Sequence, residues 1–350
     1  MTESNGFSYK DSGVDVNAGN EAVRLLKERL QSTRNPLVLS GIGGFGGVMR
    51  MPPVDDAVLV AGADGAGTKT MIAREMGIYD TVGIDAVAMN VNDISACGAH
   101  PLFFLDYLVM AKVVPERVAT IVGGVDKGCL AADCVLLGGE TGEHPGHFAH
   151  PDDFDLAGFA VGFAERGNLW GPDKVKAGDV LVGIASTGVH SNGLSLVRHV
   201  LAQRKLDLHE PFPGEGRSIG EVILTPTAIY SPVLHAFSHG CEVHAAAHIT
   251  GGGFPDNVGR LLPDGLAAEL DLGAWTMPSV FAWLREAGVA DTDMLDTFNC
   301  GVGMVVAMPA GETLKALDFA KTNGHEAWVV GEVVERGADD AVRYAGALWS

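Results

Sequence analysis

The sequence predicts a mixed α/β fold in two domains, and two observations support this prediction. Short apolar runs that end in glycine alternate with helix-like segments through both halves of the 350-residue chain, as they do in α/β and α+β proteins. One polar stretch, residues 165–179, contains Gly and Pro and follows neither the helical nor the strand period. Because such stretches are typical of linkers, we expect an N-terminal domain at residues 1–168 and a C-terminal domain at residues 169–350.

In the N-terminal half, each predicted element follows from its hydrophobic period. AVLVAGADG (57–65) is an apolar run ended by glycine, which indicates a buried strand followed by a turn. Residues 80–98 have a helical period, with an apolar face and an opposite polar face that carries Asp85, Asn92 and Asp93. By the same criteria we expect strands at 101–110, 134–140 and 153–165, and a helix at 116–132.

The C-terminal half continues the alternation. We expect strands at 180–186, 243–249, 301–309 and 327–335, and helices at 195–204, 228–240, 279–288 and 312–324. The sequence contains no short internal repeat and no low-complexity segment, which argues against a solenoid or a disordered chain.

Composition restricts the partners of the protein. The chain has 24 Lys and Arg residues against 44 Asp and Glu, a formal charge of −20, so its overall field repels nucleic acid and anionic membranes. A phosphorylated substrate must therefore be met by local positive groups or by a metal. The five cysteines form no C-x-x-C pair, and the N-terminus shows no secretory signal, which predicts reduced thiols and a cytoplasmic location. No run reaches the ~18 apolar residues of a membrane span.

The segment GADGAGTK (62–69) contains the groups that bind phosphate. Glycines expose backbone N–H groups, Lys69 supplies an ammonium, and Asp64 is a carboxylate that can hold Mg²⁺. The spacing differs from that of a Walker A loop. A plain turn followed by a surface lysine is the alternative interpretation.

The polar face of the helix at 80–98 is a second candidate for Mg²⁺. This ion needs oxygen ligands and takes some of them from water and phosphates, so two carboxylates from different segments suffice. Asp93 lies among apolar residues, where a merely solvated face would more often carry Lys or Glu. A solvated helix face is the alternative.

Polar residues recur where predicted strands end in glycine-rich turns. These strand ends carry Asp64, Glu140, His190, Thr250 and Asn299. Histidine can act as acid, base or phosphate partner, and glycine turns let backbone amides approach a phosphate closely. Their joint occurrence predicts a phosphate-rich site, whereas residues 186–195 taken alone also fit an N-cap and turn cluster.

Nine motifs, in this order, resemble those of the phosphoribosylformylglycinamidine cyclo-ligases, the AIR synthetase family. They are FSYKDSGVDVNAGN, GIGGFGG, DGAGTK, GIDAVAMNVND, PLFFLDY, GGETGEHPG, VHSNGLSLVR, HITGGGFPDNVGRLLP and TFNCGVGM. The likeness runs from residue 7 to residue 336, nearly the whole chain. HSNG, TGGGF and GGET are typical of this enzyme and, more loosely, of a superfamily that includes formylglycinamide ribonucleotide amidotransferase, selenophosphate synthetase and thiamine-phosphate kinase.

The resemblance implies a two-domain α/β subunit that forms a homodimer through the sheet of its N-terminal domain. ATP and Mg²⁺ would bind in the cleft between domains and dimer partners. The implied reaction closes the imidazole ring of 5-aminoimidazole ribonucleotide in purine biosynthesis: ATP phosphorylates the formamide oxygen of formylglycinamidine ribonucleotide, a nitrogen attacks that carbon, and phosphate leaves.

Roles for individual residues also follow from the resemblance. Asp64 and Asp93 are implied to hold Mg²⁺ with Glu140 nearby, Lys69 is implied to reach the ATP phosphates, and we expect His190 to transfer a proton. The residues implied to bind the ribonucleotide and its phosphate are Ser191, Asn192, Thr250, Gly251, Gly252, Gly253 and Asn299.

The N-terminal segment, residues 1–50, is implied to be mobile and to fold over the nucleotide. Lys10 and Asp15 are possible nucleotide contacts within it. The segment LSGIGGFGGVMRMP (39–52) is implied to lie over the ATP phosphates, where absent side chains allow close approach. The residues implied to make that approach are Gly43, Gly44, Gly46 and Gly47.

Three positions depart from the family pattern. His100 replaces Glu, Ala228 replaces Arg, and Asp296 replaces Arg. The loss of two arginines removes counter-charges for a phosphorylated acceptor, so ATP use is better supported than the identity of the acceptor. A paralogue acting on a related substrate, and a nucleotide-binding subunit without catalysis, are the alternatives to the cyclo-ligase.

Overall fold

Two β-sheets, one in each half of the chain, organise the structure, a computed structural model that describes residues 12–41, 43–338 and 340–349. The first sheet has the order β1-β4-β2-β3. Strands β1 and β2 both run antiparallel to β4, and β2 is parallel to β3. These strands are β1 (Ala57–Gly65), β2 (His100–Met110), β3 (Val135–Glu143) and β4 (Phe154–Glu165).

Helices cover one face of this sheet and leave the other face open. The helices of this half are α1 (Val16–Arg29), α2 (Lys69–Met76), α3 (Val82–Ala96) and α4 (Pro115–Ala131). Along β1, Val58 and Val60 pack against the core while Leu59 between them is 66% exposed, as expected from the alternation of side chains along a strand. Tyr107 on β2 and Phe159 on β4 are also exposed. The open face of the sheet therefore presents large apolar side chains.

Close helix packing explains several glycines of this half. A Cβ on Gly83 of α3 would collide with the backbone of α4 at Ile121 and Gly124, and a Cβ on Gly124 would collide with the carbonyl oxygen of Asp80. The absence of side chains thus lets α3 and α4 cross with their backbones in contact, and this crossing fixes α3 beneath the sheet.

The second sheet has six strands in the order β10-β7-β9-β5-β8-β6. Its neighbours are antiparallel except for the parallel pair β10 and β7. The strands are β5 (Asp179–Ala185), β6 (Ala245–His248), β7 (Leu266–Asp271), β8 (Val302–Pro309), β9 (Ala327–Glu335) and β10 (Val342–Ala345). Strand β8 is buried from Val302 to Met308, which agrees with its uninterrupted apolar sequence.

Seven helices of the described residues surround this second sheet. They are α5 (Leu194–Arg204), α6 (Ile219–Ile223), α7 (Ser231–Gly240), α8 (Gly253–Gly259), α9 (Ser279–Glu286), α10 (Asp291–Thr297) and α11 (Thr313–Thr322). Between the two sheets, the chain passes through two single turns of 3₁₀ helix, Arg166–Asn168 and Pro172–Lys174. The predicted domain limit at residue 168 falls in this connection and stays a prediction.

The predicted strands and helices are all present, with ends that differ by a few residues. The two-domain α/β fold is confirmed. Sequence periodicity missed α1, α2, α6, α10, β7 and β10. Strands β7 and β10 are short, and α6 and α10 span at most two turns, so each shows too few repeats of its hydrophobic period to be recognised. Within the described ranges, no helix combines the length and the apolar character that a membrane crossing needs.

Candidate functional site

Asp64 and Asp93 lie next to each other where the two halves meet. Asp64 is near the end of β1, and Asp93 is in the last turn of α3 with its side chain 53% exposed. The Asn90 side chain donates to the carbonyl oxygen of Asp64 over 3.1 Å, which fixes α3 against the end of β1. Burial, together with the neighbouring Asp93 carboxylate, raises the pKa of Asp64 above its ordinary value, although the Gly65 N–H stabilises the charged form. Two close carboxylates that repel each other favour a cation between them.

Loops of the C-terminal half surround this pair. The Nδ1 atom of His248, at the end of β6, is 2.9 Å from Oδ1 of Asp93. The hydroxyl groups of Thr68 and Ser195 are 3.4 Å apart, so the turn after Asp64 touches the start of α5. The fold thus brings predicted residues from both halves of the chain into one region. They are Asp64, Asp93 and the loops at 191–195 and 248–253.

The glycine loop at 250–253 lies beside the loop at 190–193. Oδ1 of Asn192 is 3.6 Å from the position that a Cβ would take on Gly251, and nothing else lies within 4 Å of that position. Gly252 and Gly253 have φ values of 87° and 56°, which glycine adopts without strain. A Cβ on Gly253 would also collide with the carbonyl oxygen of Leu295. Gly251 therefore leaves an open approach to the loop, whereas Gly253 is required by the packing.

Asn257, which the sequence analysis did not single out, stabilises this loop. Its side-chain amide donates to the carbonyl oxygens of Thr250, Gly251 and Gly253 at 3.2, 3.2 and 2.8 Å. The Thr250 hydroxyl is 3.3 Å from Oδ1 of the same residue. The signal in the sequence is an asparagine one helical turn after a run of glycines, a position from which its amide can reach the carbonyls of the loop.

His190 is buried beneath the same region. Its side chain is 1% exposed, and its Nε2 accepts hydrogen bonds from the backbone N–H groups of Thr187 and Ala228 at 3.2 and 3.4 Å. Burial, with smaller effects from His248 and Lys69, lowers the pKa of His190 well below its ordinary value. The observed position therefore favours a neutral, structural imidazole, and proton transfer by His190 stays a prediction that requires the loop to open.

Lys69 is also fully buried, and it forms an ion pair. Its Nζ is 2.9 Å from Oδ1 of Asp85 and 2.8 Å from the carbonyl oxygen of Thr225. Burial lowers the pKa of Lys69 despite the opposing effect of Asp85. The alternative of a surface lysine is wrong, and contact between the Lys69 ammonium and the ATP phosphates stays a prediction that requires this buried arrangement to change.

The polar face predicted on α3 is not a solvated face. Asp85 and Asn92 are fully buried against the C-terminal half. Asp85 accepts from the N–H and hydroxyl of Thr227 at 2.8 and 2.6 Å, while Asn92 donates to the carbonyl oxygen of Ala228 and accepts from the Tyr230 N–H, both at 2.8 Å. We call these contacts between α3 and segment 225–230 the polar seam. Asp93 alone of the three remains accessible.

Ser191 and Asn299, both predicted substrate contacts, differ in accessibility. The Ser191 hydroxyl is half-buried, 3.3 Å from the hydroxyl of Thr227. Asn299 is 2% exposed; its amide donates to the carbonyl oxygen of Gly188 and accepts from the Gly301 N–H. Asn299 therefore stabilises the loop that precedes His190, and its side chain does not face the site.

Glu140 lies at the other edge of the first sheet. The aligned row Asp64, Gly158, Asp106 and Gly139 crosses all four strands, so Asp64 and Glu140 are separated by three strand spacings of about 4.8 Å, or roughly 14 Å. Mg²⁺ binds its oxygen ligands at about 2.1 Å. The expectation that Glu140 lies near the Asp64–Asp93 pair is thus wrong within one chain.

The glycine run, residues 43–47, also lies on the Glu140 side of the sheet. Residues 37–39 and 48–50 pair as a short antiparallel ladder, and the run connects them. The side chain of Phe45, within the run, is fully exposed. Gly47 packs against Leu137 of β3 without room for a Cβ. A cavity of about 720 Å³ lies between the run, α1 and β3; Gly43, Gly44, Gly46 and Gly47 line it together with Glu140 and Asp106.

Asp106 is a further candidate that the sequence analysis missed. Its carboxyl group is 7% exposed at the base of this cavity. Burial, with a contribution from the Glu140 carboxylate, raises the pKa of Asp106 to about 7. Asp15, the N-cap of α1, lines the same cavity, whereas Lys10 lies outside the described residues.

The three departures from the family pattern lie at three separate places in the structure. The ring of His100 is 4.7 Å from the ring of His235 and its Nε2 is 3.9 Å from the Asp133 carboxylate. Ala228 belongs to the polar seam, and Asp296 follows Leu295 in α10, behind Gly253. Across the described ranges, no three His, Cys, Asp or Glu side chains are grouped so as to hold a metal by themselves.

These features define a two-domain α/β protein with accessible carboxylates and glycine loops where its halves meet. Residues 45–164 match the family described as AIR synthase related protein, N-terminal domain. Residues 176–343 match AIR synthase related protein, C-terminal domain. The chain belongs to the AIR synthase-related proteins.

Solved structures show the same fold. Thiamine-monophosphate kinase from Stenotrophomonas maltophilia K279a superposes with a TM-score of 0.68 at 17% identity, over 94% of this chain and 96% of the other. The hydrogenase maturation protein HypE from E. coli gives 0.62 at 18% identity, over 92% of each chain. A HypE structure in complex with ATP gives 0.65 at 15% identity, over 95% of this chain and 93% of the other. At these identities the likeness concerns the fold.

Proposed function

We propose that the protein is an ATP-dependent cyclo-ligase that closes the imidazole ring of 5-aminoimidazole ribonucleotide from formylglycinamidine ribonucleotide, in purine biosynthesis. The γ-phosphoryl group of ATP is transferred to the formamide oxygen, a nitrogen of the substrate attacks the same carbon, and phosphate leaves with that oxygen. Three lines of support are the motif resemblance along the chain, the family membership, and the ATP complex of a protein with this fold. The observation that carries the proposal is that Asp64 and Asp93 lie close to the loops at 190–193 and 250–253.

The carboxylate pair fits Mg²⁺. Asp64 and Asp93 are accessible oxygen donors from different segments, and partial burial, with a smaller contribution from the Asp93 carboxylate, raises the pKa of Asp64. No third protein ligand is grouped with them among the described residues, which suits an ion that completes its octahedron with water and phosphate oxygens. When bound, Mg²⁺ would neutralise the charge of the transferring phosphoryl group.

The loops of the C-terminal half supply the acceptor side. The amide of Asn192 and the hydroxyls of Ser191 and Thr250 offer uncharged hydrogen bonds, and Gly251 leaves space for close approach of a ligand to the backbone. These groups orient the formamide oxygen toward the carboxylate pair. Such alignment provides much of the catalysis when the protein performs no covalent step.

A second copy of the chain would complete the site. Leu59, Tyr107 and Phe159 are 66%, 47% and 42% exposed on the open face of the first sheet, and burial of such a face favours association. A homodimer formed there places a second sheet against the first. The glycine run and Glu140 of one chain can then face Asp64 and Asp93 of the other, which a single chain separates.

Product formation tests the proposal. Purified protein with formylglycinamidine ribonucleotide, ATP and Mg²⁺ is expected to form an aminoimidazole and release phosphate. Asp64→Asn is expected to abolish phosphate release, whereas Asp55→Asn, an exposed residue before β1, serves as control and should not affect it. Absence of the aminoimidazole in the presence of ATP binding would overturn the ring-closing reaction.

A paralogous ATP-dependent enzyme is the second candidate, and Ala228 and Asp296 favour it. Each stands where the family has an arginine, and Asp296 directly follows Leu295, whose carbonyl touches Gly253. A negative charge at this point disfavours a phosphorylated acceptor. ATP turnover with a related amide or amidine that lacks a phosphate, and none with formylglycinamidine ribonucleotide, would support this candidate.

A further inference from the structure

His248 lies between Asp93 and the polar seam. It is the last residue of β6 and is 5% exposed. Its Nδ1 is 2.9 Å from Oδ1 of Asp93, and its Nε2 is 3.4 Å from Nδ2 of Asn92. The imidazole therefore contacts two neighbouring residues of α3 from the opposite half of the chain.

The seam fixes which way the Asn92 amide faces. Nδ2 lies 2.8 Å from the carbonyl oxygen of Ala228, and Oδ1 lies 2.8 Å from the N–H of Tyr230. A flipped amide would place its oxygen against a carbonyl and its NH₂ against an N–H, so both hydrogen bonds would be lost. Nδ2 must face His248, with one hydrogen for Ala228 and one for the imidazole.

The tautomer of His248 follows from this orientation. An amide nitrogen donates but does not accept, so Nε2 of His248 is the acceptor and carries no proton. A neutral imidazole then carries its proton on Nδ1, which donates to Asp93. The backbone of segment 228–230 thus fixes the orientation of the Asn92 amide, and the amide fixes the tautomer of the imidazole. The imidazole in turn donates to one oxygen of the Asp93 carboxylate.

We propose that His248 is a positioning residue for Asp93: its Nδ1–H holds the carboxylate beside Asp64 in the orientation that binds a divalent cation. This inference rests on the proposed role of Asp93 as a Mg²⁺ ligand. Partners that orient a ligating carboxylate are typically worth tenfold or more in metal affinity. Only Ile249 separates His248 from the 250–253 loop, so the same side chain fixes the start of this loop relative to the cation.

Two substitutions separate the donor from the bulk of the side chain. Asparagine places its Nδ2 where histidine has Nδ1, and glutamine places its Nε2 where histidine has Nε2. His248→Asn therefore keeps the donor toward Asp93, whereas His248→Gln removes it. Mn²⁺ serves as the probe, titrated with ADP present and followed by electron paramagnetic resonance of the free ion, with thermal unfolding as the measure of folding.

The expected result is that His248→Asn binds Mn²⁺ within about threefold of the original protein, and that His248→Gln loses about tenfold or more. Asp93→Asn shows how much Mn²⁺ affinity is lost when one proposed ligand is removed. Equal loss in both His248 variants, or none in His248→Gln while Asp93→Asn is deficient, would overturn the role of His248 and leave the metal site standing. Unchanged binding in Asp93→Asn would overturn the metal site itself and the inference with it.

The tautomer can be read without any variant or metal. A long-range ¹H–¹⁵N spectrum of the labelled protein is expected to show Nδ1 of His248 protonated and Nε2 unprotonated. A proton on Nε2 alone would contradict the hydrogen-bond argument, because Nδ1 could not then donate to Asp93.

Discussion

The ammonium of Lys69 and the carboxylate of Asp85 form a fully buried ion pair, 2.9 Å apart, at the contact between the two halves of the chain. Lys69 follows the glycine turn after β1, and Asp85 is in the first turn of α3. Both also bind the segment from Thr225 to Thr227. A lysine placed after a glycine turn, which in sequence suggests a phosphate ligand, here joins three segments of the structure.

Lys69→Met should lower the free energy of unfolding by about 3–5 kcal/mol, because it leaves the Asp85 carboxylate buried without its counter-charge. The control is Lys127→Met, which removes an exposed pair with Asp80 and should change stability by less than about 1 kcal/mol. Urea denaturation measures both. A Lys69→Met protein that is as stable as the original but binds ATP weakly would instead support the phosphate role.

Gly251 and Gly253 form a matched pair for testing whether a ligand approaches the 250–253 loop. Gly253→Ala should destabilise the protein by about 2 kcal/mol or more, because the residue has a positive φ and its Cβ would collide with the Leu295 carbonyl. Gly251→Ala has open space and should leave stability within about 0.5 kcal/mol. If a ligand approaches this loop, Gly251→Ala should still raise the KM for the acceptor. An unchanged KM in that variant would show that the acceptor does not contact the backbone at residue 251.

Acid should destabilise the folded protein through four of its histidines. Burial lowers the pKa of His100, His190, His235 and His325. The unfolded chain then takes up protons below about pH 6.5, where the folded chain does not, so stability is present at higher pH and falls as the pH drops through this range. Asp106, whose pKa is raised to about 7, has the opposite effect on the pH dependence of stability. Comparison of a histidine variant with the original protein therefore separates the contribution of that histidine from that of Asp106.

His100→Gln is the variant for that comparison. Urea unfolding between pH 8 and pH 5.5 should show a smaller loss of stability on acidification than in the original protein, since one proton-binding group of the unfolded chain is gone. His209→Gln, at an exposed position, is the control and should retain the full slope. Equal slopes in all three proteins would contradict the assignment to His100.

The open face of the first sheet should control the oligomeric state. Leu59→Glu and Phe159→Glu each place a charge on that face, and we expect a monomer in analytical ultracentrifugation together with loss of turnover. Leu314→Glu changes a side chain that is 83% exposed on α11, in the other half, and should leave the dimer intact. A dimer that survives both sheet substitutions would place the interface elsewhere.

Sequence periodicity predicted most of the long elements because their hydrophobic patterns extend over several turns or alternations; the 14-residue helix α1 is the exception. It failed for β7 and β10, which gain their stability from pairing with each other and with β9. Residues distant in sequence decide such pairing, and no local pattern records it.

The same limit applies to the site. The pattern on α3 separated its polar from its apolar residues correctly, but it could not show that Asp85 and Asn92 face the other half of the chain while Asp93 faces solvent. Nor could strand-end motifs show the sheet order, which separates Asp64 from Glu140. Asn257 and His248 were missed because their roles depend on hydrogen bonds that form only in the folded chain.

The polar seam opposes any separation of the two halves of the chain. A hinge motion between the halves would break its buried hydrogen bonds at about 1 kcal/mol or more each, in addition to the Lys69–Asp85 pair. A state in which the two halves have separated is therefore sparsely populated. Opening of surface loops breaks fewer buried hydrogen bonds, so we expect access to the proposed site to be controlled by the loops and not by a hinge between the halves.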